Sequence, residues 1–199
     1  MGKGEKEKKD LYIEGVQNNG IINHYEYIIN SEGTIEIRHV LKPEGKMPLW
    51  FPRIGLTLTV SDALDQVKWY GRGPQENYPD RKTGYPMGIY ASTVQAMYEP
   101  YLMPQDYGLR TDVRWLQLTT DKGIGLQFKM NEWFNFNIYP YSTDNLTKAM
   151  YTYQLQKQKG MTLNLDYATT GVGCTARGVF GAYKAMPQEY RRTISIRPM

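Results

Sequence analysis

Histidine and cysteine are scarce in this chain, which holds two histidines and one cysteine in 199 residues. A lone Cys174 forbids an internal disulfide. It follows Gly171-Val172-Gly173 with no histidine close in sequence, so a small buried residue is its plainer role. No metal-ligand spacing, glycine-rich phosphate loop or nucleophile elbow is present. No run of about 18 apolar residues occurs, so no membrane-spanning helix is expected. The opening residues lack an apolar stretch, so no signal peptide is expected there. A strong charge of one sign is also missing. The net charge is only +4, and Lys3, Lys6, Lys8 and Lys9 are interleaved with Glu5, Glu7 and Asp10. Such alternation predicts a solvated, disordered tail over 1–10 and argues against a nucleic-acid arm. Residues 11–199 then read as a single domain.

What the chain has instead is aromatic residues, 17 tyrosines and four tryptophans among them, and many short alternating runs. Two readings suit the aromatics: strand packing, or a surface that stacks on sugars. A first short strand is expected over Leu11 to Val16. Ile21 to Ile29 and Thr34 to Leu41 flank Asn30-Ser31-Glu32-Gly33, the pattern of an antiparallel hairpin. Further strands are expected at Phe51 to Val60, Val67 to Tyr70, Arg110 to Leu118, Ile124 to Met130, Phe134 to Tyr139, Met161 to Tyr167 and Arg191 to Ile196. Ile89 to Tyr98 and Tyr151 to Leu155 read as extended. Ser142 to Ala149 is the best helix, capped by Ser142 or Thr143. Thr169 to Gln188 reads as a long loop. Strands at hairpin spacing without long helices predict an all-β antiparallel sandwich and disfavour an α/β fold.

The densest stretch is Trp69 to Tyr90, WYGRGPQENYPDRKTGYPMGIY. Gly71, Gly73 and Pro74 end a strand. Behind them lie Glu76 and Asp80, flanked by Arg72 and Arg81. Two carboxylates in one loop raise the question of glycosidase chemistry, which needs such a pair set across a sugar. Arginine–carboxylate pairing accounts for the same four residues, and they are read here as structural loop ion pairs. His39 lies in phase with Ile35 and Ile37, as a packed or edge histidine does, and His24 lies out of phase with Tyr25. A sugar epimerase would need an acid and a base near the ring, and these two histidines are its candidates. A carbohydrate-binding module would use Trp69, Tyr70, Tyr78 and Tyr85 as its stacking face.

The run WYGRGPQENYPDRKTG resembles the signature of the C-terminal β-sandwich, or small-chain, domain of bacterial β-galactosidases of glycoside hydrolase family 2. The likeness extends through LWFPRIGL at 49–56, YEPY at 98–101, PQDYGLR at 104–110 and GVGC at 171–174, in the family's order. The resemblance implies a large antiparallel supersandwich like that of galactose-mutarotase domains. It places the catalytic carboxylates in a separate barrel domain of the same enzyme, so no catalytic residue is expected here. It implies a β-galactoside as the parent's substrate, no cofactor in this chain, metal ions only in the parent, and homo-oligomer contacts as a possible further role. In some relatives the loop after Gly171-Val172-Gly173 carries an indole that stacks on the sugar. No tryptophan stands there in this sequence, which leaves Arg177 and Phe180 as candidate substitutes. With Trp69 and Tyr78 they make up the expected substrate-binding set.

Overall fold

A computed structural model describes residues 5–14, 20–173 and 178–199, the first of these spans by its backbone alone. Among them ten strands form one hydrogen-bonded antiparallel network: β1 (Glu5–Glu14), β2 (Gly20–Ile29), β3 (Ile35–Glu44), β4 (Arg53–Val60), β5 (Gln66–Arg72), β6 (Met87–Thr93), β7 (Arg110–Thr119), β8 (Gly125–Tyr139), β9 (Met161–Thr169) and β10 (Tyr190–Pro198). The main path runs β1-β2-β3-β10-β8-β7-β5-β6, and the β4–β9 pair branches from β8. The fold is all-β, as expected.

Local chemistry explains the turns that build it. Gly33 closes the β2–β3 hairpin at φ 76°, and the Asn30 side chain accepts from the Glu32 and Thr34 amides. The one described α-helix, α1 (Thr143–Lys148), is capped by Ser142, whose hydroxyl accepts from the Asn145 amide at 3.0 Å. Both features follow the sequence expectations.

Four expectations need correction. Strand pairing begins at Glu5, inside the segment read as a disordered tail, with Glu5 opposite Ile29 and Glu14 opposite Gly20. Backbone pairing needs no apolar side chains, so a charged sequence can add an edge strand. The two strands expected at 124–130 and 134–139 are one continuous β8. Its first half pairs with β10 at 126–130 and its second half with β9 at 135–139. Register shifts against β7, between Arg110 and Val113 and between Val113 and Trp115, let it bend from one partner to the other. Residues 152–154 form a 3₁₀ turn where extended chain was expected. Here the Gln154 side chain accepts from the Met150 and Tyr151 amides. The long loop expected over 169–188 contains a further 3₁₀ turn at Gly181–Tyr183 and a bridge from Phe51 to Ala185.

The core draws on nearly every described strand, with Val67, Trp69, Leu116, Phe128, Phe136, Leu163 and Ile194 among its members. Seven consecutive residues of β9, Met161 to Tyr167, are buried, so this strand is covered on both faces. Its polar members Asn164 and Asp166 are therefore interior groups and need partners there. A second cluster of Tyr107, Tyr139 and Leu146 seats α1 beside the segment that precedes β7.

Phe136 is fully buried and Ile89 is 62% exposed. Replacing Phe136 with alanine is expected to cost about 3–5 kcal/mol. Ile89→Ala should stay within about 0.5 kcal/mol. Urea unfolding of the two variants measures the contrast.

Candidate functional site

The loop from β5 to β6 is pinned from the inside. Its Gly73–Pro74 peptide is cis. The Asn77 amide donates to Leu109 O at 2.8 Å, and its side-chain oxygen accepts from both the amide and the hydroxyl of Thr111. Glu76, only 6% exposed, is ringed by donors: Arg81 Nη2 at 2.7 Å, Gly108 N at 2.8 Å, Tyr78 OH at 3.1 Å, and Tyr101 OH. A carboxylate so fully engaged is committed to structure and has no lone pair positioned to take a proton from a substrate.

Among the expected ion pairs, Glu76–Arg81 is present, and the other two residues find partners elsewhere. Arg72 Nε donates to Asp112 Oδ2 at 2.6 Å, and its Nη1 donates to the carbonyls of Lys82 and Tyr85. Lys82 Nζ closes on the same Asp112 at 2.8 Å. Asp112 sits on the irregular stretch of β7 at φ 57°. Burial pushes its carboxyl up, but Lys82 and Arg72 outweigh burial and hold it below the ordinary range. Asp80 accepts from the amides of Val172 at 3.1 Å and Gly173 at 2.7 Å. That loop comes so close that a Cβ on Gly171 would lie 2.3 Å from the Asp80 carboxyl carbon. Only glycine allows the approach.

Of the four residues expected to form a binding module's stacking face, Trp69 and Tyr78 are interior, while Tyr70 is 38% exposed and Tyr85 half-buried. Trp69 is fully buried. Its indole donates to Arg72 O at 3.0 Å, packs edge-on against Phe136, and lies under the Arg110 guanidinium. Burial lowers that guanidinium to about 10. Tyr78 is buried with its hydroxyl turned to Glu76. Phe180 is 67% exposed, open to contact. Arg177 and Cys174 lie outside the described residues. His39 is interior: Nδ1 meets Tyr167 OH at 2.7 Å, Nε2 meets Asn23 Oδ1 at 3.1 Å, and the ring stacks on Tyr25 at 4.1 Å. Its partners include no carboxylate, and burial lowers it to about 4. It is a packed, neutral histidine and not the acid–base partner an epimerase requires.

The constellation that sequence reading missed surrounds Arg53, at the start of β4. Arg53 Nη2 donates to Asp166 Oδ2 at 3.0 Å and Asn137 Oδ1 at 3.3 Å, and Nη1 reaches Asp106 at 3.4 Å. Asn137 donates to Asp106 Oδ1 at 2.9 Å. Asn164 donates to Asn137 Oδ1 at 2.8 Å and accepts from the Thr57 hydroxyl at 2.7 Å. Burial alone would lower the Arg53 guanidinium, but Asp166 and Asp106 keep it charged. Asp166 is 1% exposed, and burial pushes its carboxyl up to about 7 against the pull of Arg53. Arg53 and Asp106 stand in the LWFPRIGL and PQDYGLR runs, so the motifs themselves were visible. Asn164 and Asp166 carried no such signal, because a polar residue alternating with Leu163, Leu165 and Tyr167 looks the same whether it faces water or an interior network.

Of these groups Arg53 and Asp106 line a cavity of about 720 Å³, together with Trp50, Tyr101, Thr170 and Val172. Among the described residues no group of three or more His, Cys, Asp or Glu is placed to hold a metal ion.

Two tests follow from this geometry. Glu76→Ala leaves four donors unmatched and is expected to cost about 3–5 kcal/mol. Arg81→Ala removes a half-exposed partner and should cost about 1 kcal/mol or less. The second test uses pH. Asp166, raised to about 7, binds more protons folded than unfolded above the usual carboxylate range, so its ionisation erodes stability as pH rises to about 7. His39, lowered to about 4, binds more protons unfolded, so its contribution grows as pH rises from about 4 to the ordinary histidine value. The two oppose each other in the native chain. Relative to it, Asp166→Asn should tilt stability upward with pH over that window and His39→Gln should tilt it downward. Denaturant midpoints at a series of pH values read both slopes.

The chain is 38% identical over 147 residues to the β-galactosidase of Priestia megaterium (strain DSM 319 / IMG 1521), a match covering 74% of this chain and 14% of the relative. It is 39% identical over 122 residues to the β-galactosidase of Vibrio cholerae serotype O1, covering 61% and 11%, and 34% identical over 148 residues to that of Pseudoalteromonas haloplanktis, covering 74% and 14%. The chain thus spans about a seventh of the length of these curated relatives. Among solved structures it is similar to a GalM/aldose epimerase homologue from C. elegans, with a TM-score of 0.51 at 12% identity over 98% of this chain and 66% of that one. At that identity the likeness concerns the fold alone, which is galactose-mutarotase-like. The family model described as "Beta galactosidase small chain" matches residues 4–196, nearly the whole chain, and with this strand-built scaffold and its buried Glu76 the chain belongs to the β-galactosidase small-chain family.

Proposed function

We propose that this chain serves as a non-catalytic domain of a β-galactosidase, buttressing the barrel that carries the catalytic carboxylates and shaping one wall of its sugar site. The observation that carries this reading is the state of the carboxylates. Glycoside hydrolysis needs two of them about 5 to 5.5 Å apart for retention, or about 6.5 to 9.5 Å for inversion, with one free to donate a proton and the other to attack or activate water. Glu76 is consumed by four donors, Asp112 by two cations, Asp80 by two amides, and Asp166 with Asp106 by Arg53. None of these five is left free for that chemistry.

A second observation supports docking against a larger partner. Leu49, Trp50, Val172, Phe180, Tyr183 and Met186 are exposed apolar residues on two segments joined by the Phe51–Ala185 bridge. Apolar surface gathered in this way marks contact sites. The partner is the catalytic barrel of the same enzyme, the parent's substrate is a β-galactoside, and Phe180 is placed to contribute contact at the shared boundary. We assign this chain no cofactor; ions that the parent uses would be held by its other domains. Contacts between copies of the parent enzyme are a further role open to the same apolar surface.

Purified chain is expected to give no turnover of a chromogenic β-galactoside above the blank. The parent enzyme with this segment deleted is expected to be inactive, and to regain activity when the chain is added back. Turnover by the chain alone, or full activity of the deleted enzyme, would refute the proposal.

A further inference from the structure

The sheet path ends on β6, and one edge of that strand is open. Among the described residues β6 pairs with β5 alone, so its far edge presents backbone donors and acceptors without a strand partner. At the opposite end of the path, β1 carries seven charged residues in ten, a usual guard against edge-to-edge pairing. β6 reads Met87-Gly88-Ile89-Tyr90-Ala91-Ser92-Thr93, with no charge and no proline. Gly88, Ala91 and Ser92 are small enough to let another backbone approach. An open edge of this composition is suited to take up a further strand.

The same strand carries a knob and borders a hole. Lys68, Ala91, Thr93 and Gln117 share one face of the sheet with Ile89 and line a hollow of about 550 Å³. Met87 and Ile89 are exposed on that face. When two antiparallel copies of β6 overlap along the whole strand, Tyr90 lies opposite the partner's Tyr90, Ile89 opposite the partner's Ala91, and Met87 opposite the partner's Thr93. Directly opposed residues share a face, so each copy's apolar pair stands at the rim of the other's hollow. One two-fold axis satisfies both copies at once. Charge agrees with this arrangement. At the Thr93 end, where Asp65 O accepts from the Val94 amide, the exposed Asp62 and Asp65 outnumber Lys68. At the Met87 end, Arg72, which is opposite Met87 on β5, and Lys82 share a single acid, Asp112. Antiparallel pairing sets the acidic end of one copy beside the basic end of the other.

We propose that two copies of this chain associate through their β6 edges, in antiparallel register about Tyr90, with Met87 and Ile89 of each copy seated over the hollow beside the partner's Ala91 and the partner's Thr93. This surface is separate from the Trp50 and Phe180 segments, and its use by a second copy does not depend on the buttress role.

Sedimentation equilibrium of the 199-residue chain, run from about 1 μM to about 1 mM, tests it. A seam of seven residues is about 24 Å long and belongs with small, transient interfaces. A reversible monomer–dimer equilibrium with a Kd on the order of 100 μM is therefore expected. Ile89→Lys and Ala91→Glu should each raise that Kd about tenfold or more, because each puts a charge into an uncharged seam. Mixed together, the two variants should associate about tenfold more tightly than either alone, since the introduced cation of one faces the introduced carboxylate of the other. Both positions are exposed, so both variants should keep the native melting curve. Phe180→Ser, on the other surface, should leave the Kd unchanged. A chain that stays monomeric at the highest concentration, a dimer that Ile89→Lys leaves intact, a mixture no tighter than its components, or a dimer lost in Phe180→Ser would each overturn the proposal. None of these results bears on turnover by the parent enzyme, so the two readings fail separately.

Discussion

A carboxylate removed from water costs several kcal/mol unless donors replace the lost solvation, and the interior of this domain is arranged around that requirement. Asp166 lies on β9, a strand covered on both faces, and among the described residues only Arg53 brings it a positive charge through a direct contact. Arg53 in turn fixes Asp106 and Asn137, and Asn137 fixes Asn164. The β4–β9 pair, β8 and the segment before β7 are therefore held in register by one polar chain as well as by apolar packing. Glu76 does the same for the loop between β5 and β6, tying it to Gly108 and Tyr101. Networks of this kind are rigid when complete and costly when one member is missing.

The proposed non-catalytic role fits rigidity of that sort. Catalytic carboxylates need unoccupied lone pairs and room for a sugar between them. Here the same groups have been committed to holding loops in place. What remains open is surface: apolar residues on the Trp50 and Phe180 segments, and the cavity that Trp50 and Val172 line. A scaffold that keeps such a surface in fixed shape can serve a neighbouring active centre without supplying any reacting group itself.

Much of the fold was readable in the residues. Period-two alternation located most of the described strands, Asn30 to Gly33 announced a hairpin, and Ser142 announced the helix start. The motif at 69–84 identified both the family and one ion pair within the loop, Glu76–Arg81. Other assignments failed for a common reason. Arg72 finds Asp112 40 positions away, Asp80 finds amides 92 and 93 positions away, and Asp166 finds Arg53 across 113. Local spacing carries no information about partners that distant. Trp69 was misread because an aromatic residue at a strand's end has the same pattern whether it faces solvent or the core.

The residues by themselves determined the antiparallel strand-built class, the turn positions and the family, because alternation, glycine conformations and helix caps act over a few residues. Only the tertiary structure decided which face of each strand is buried, which cation answers which acid, and that β8 bends from β10 to β9. Those outcomes depend on desolvation and on long-range contact, and neither exists until the strands have been brought together.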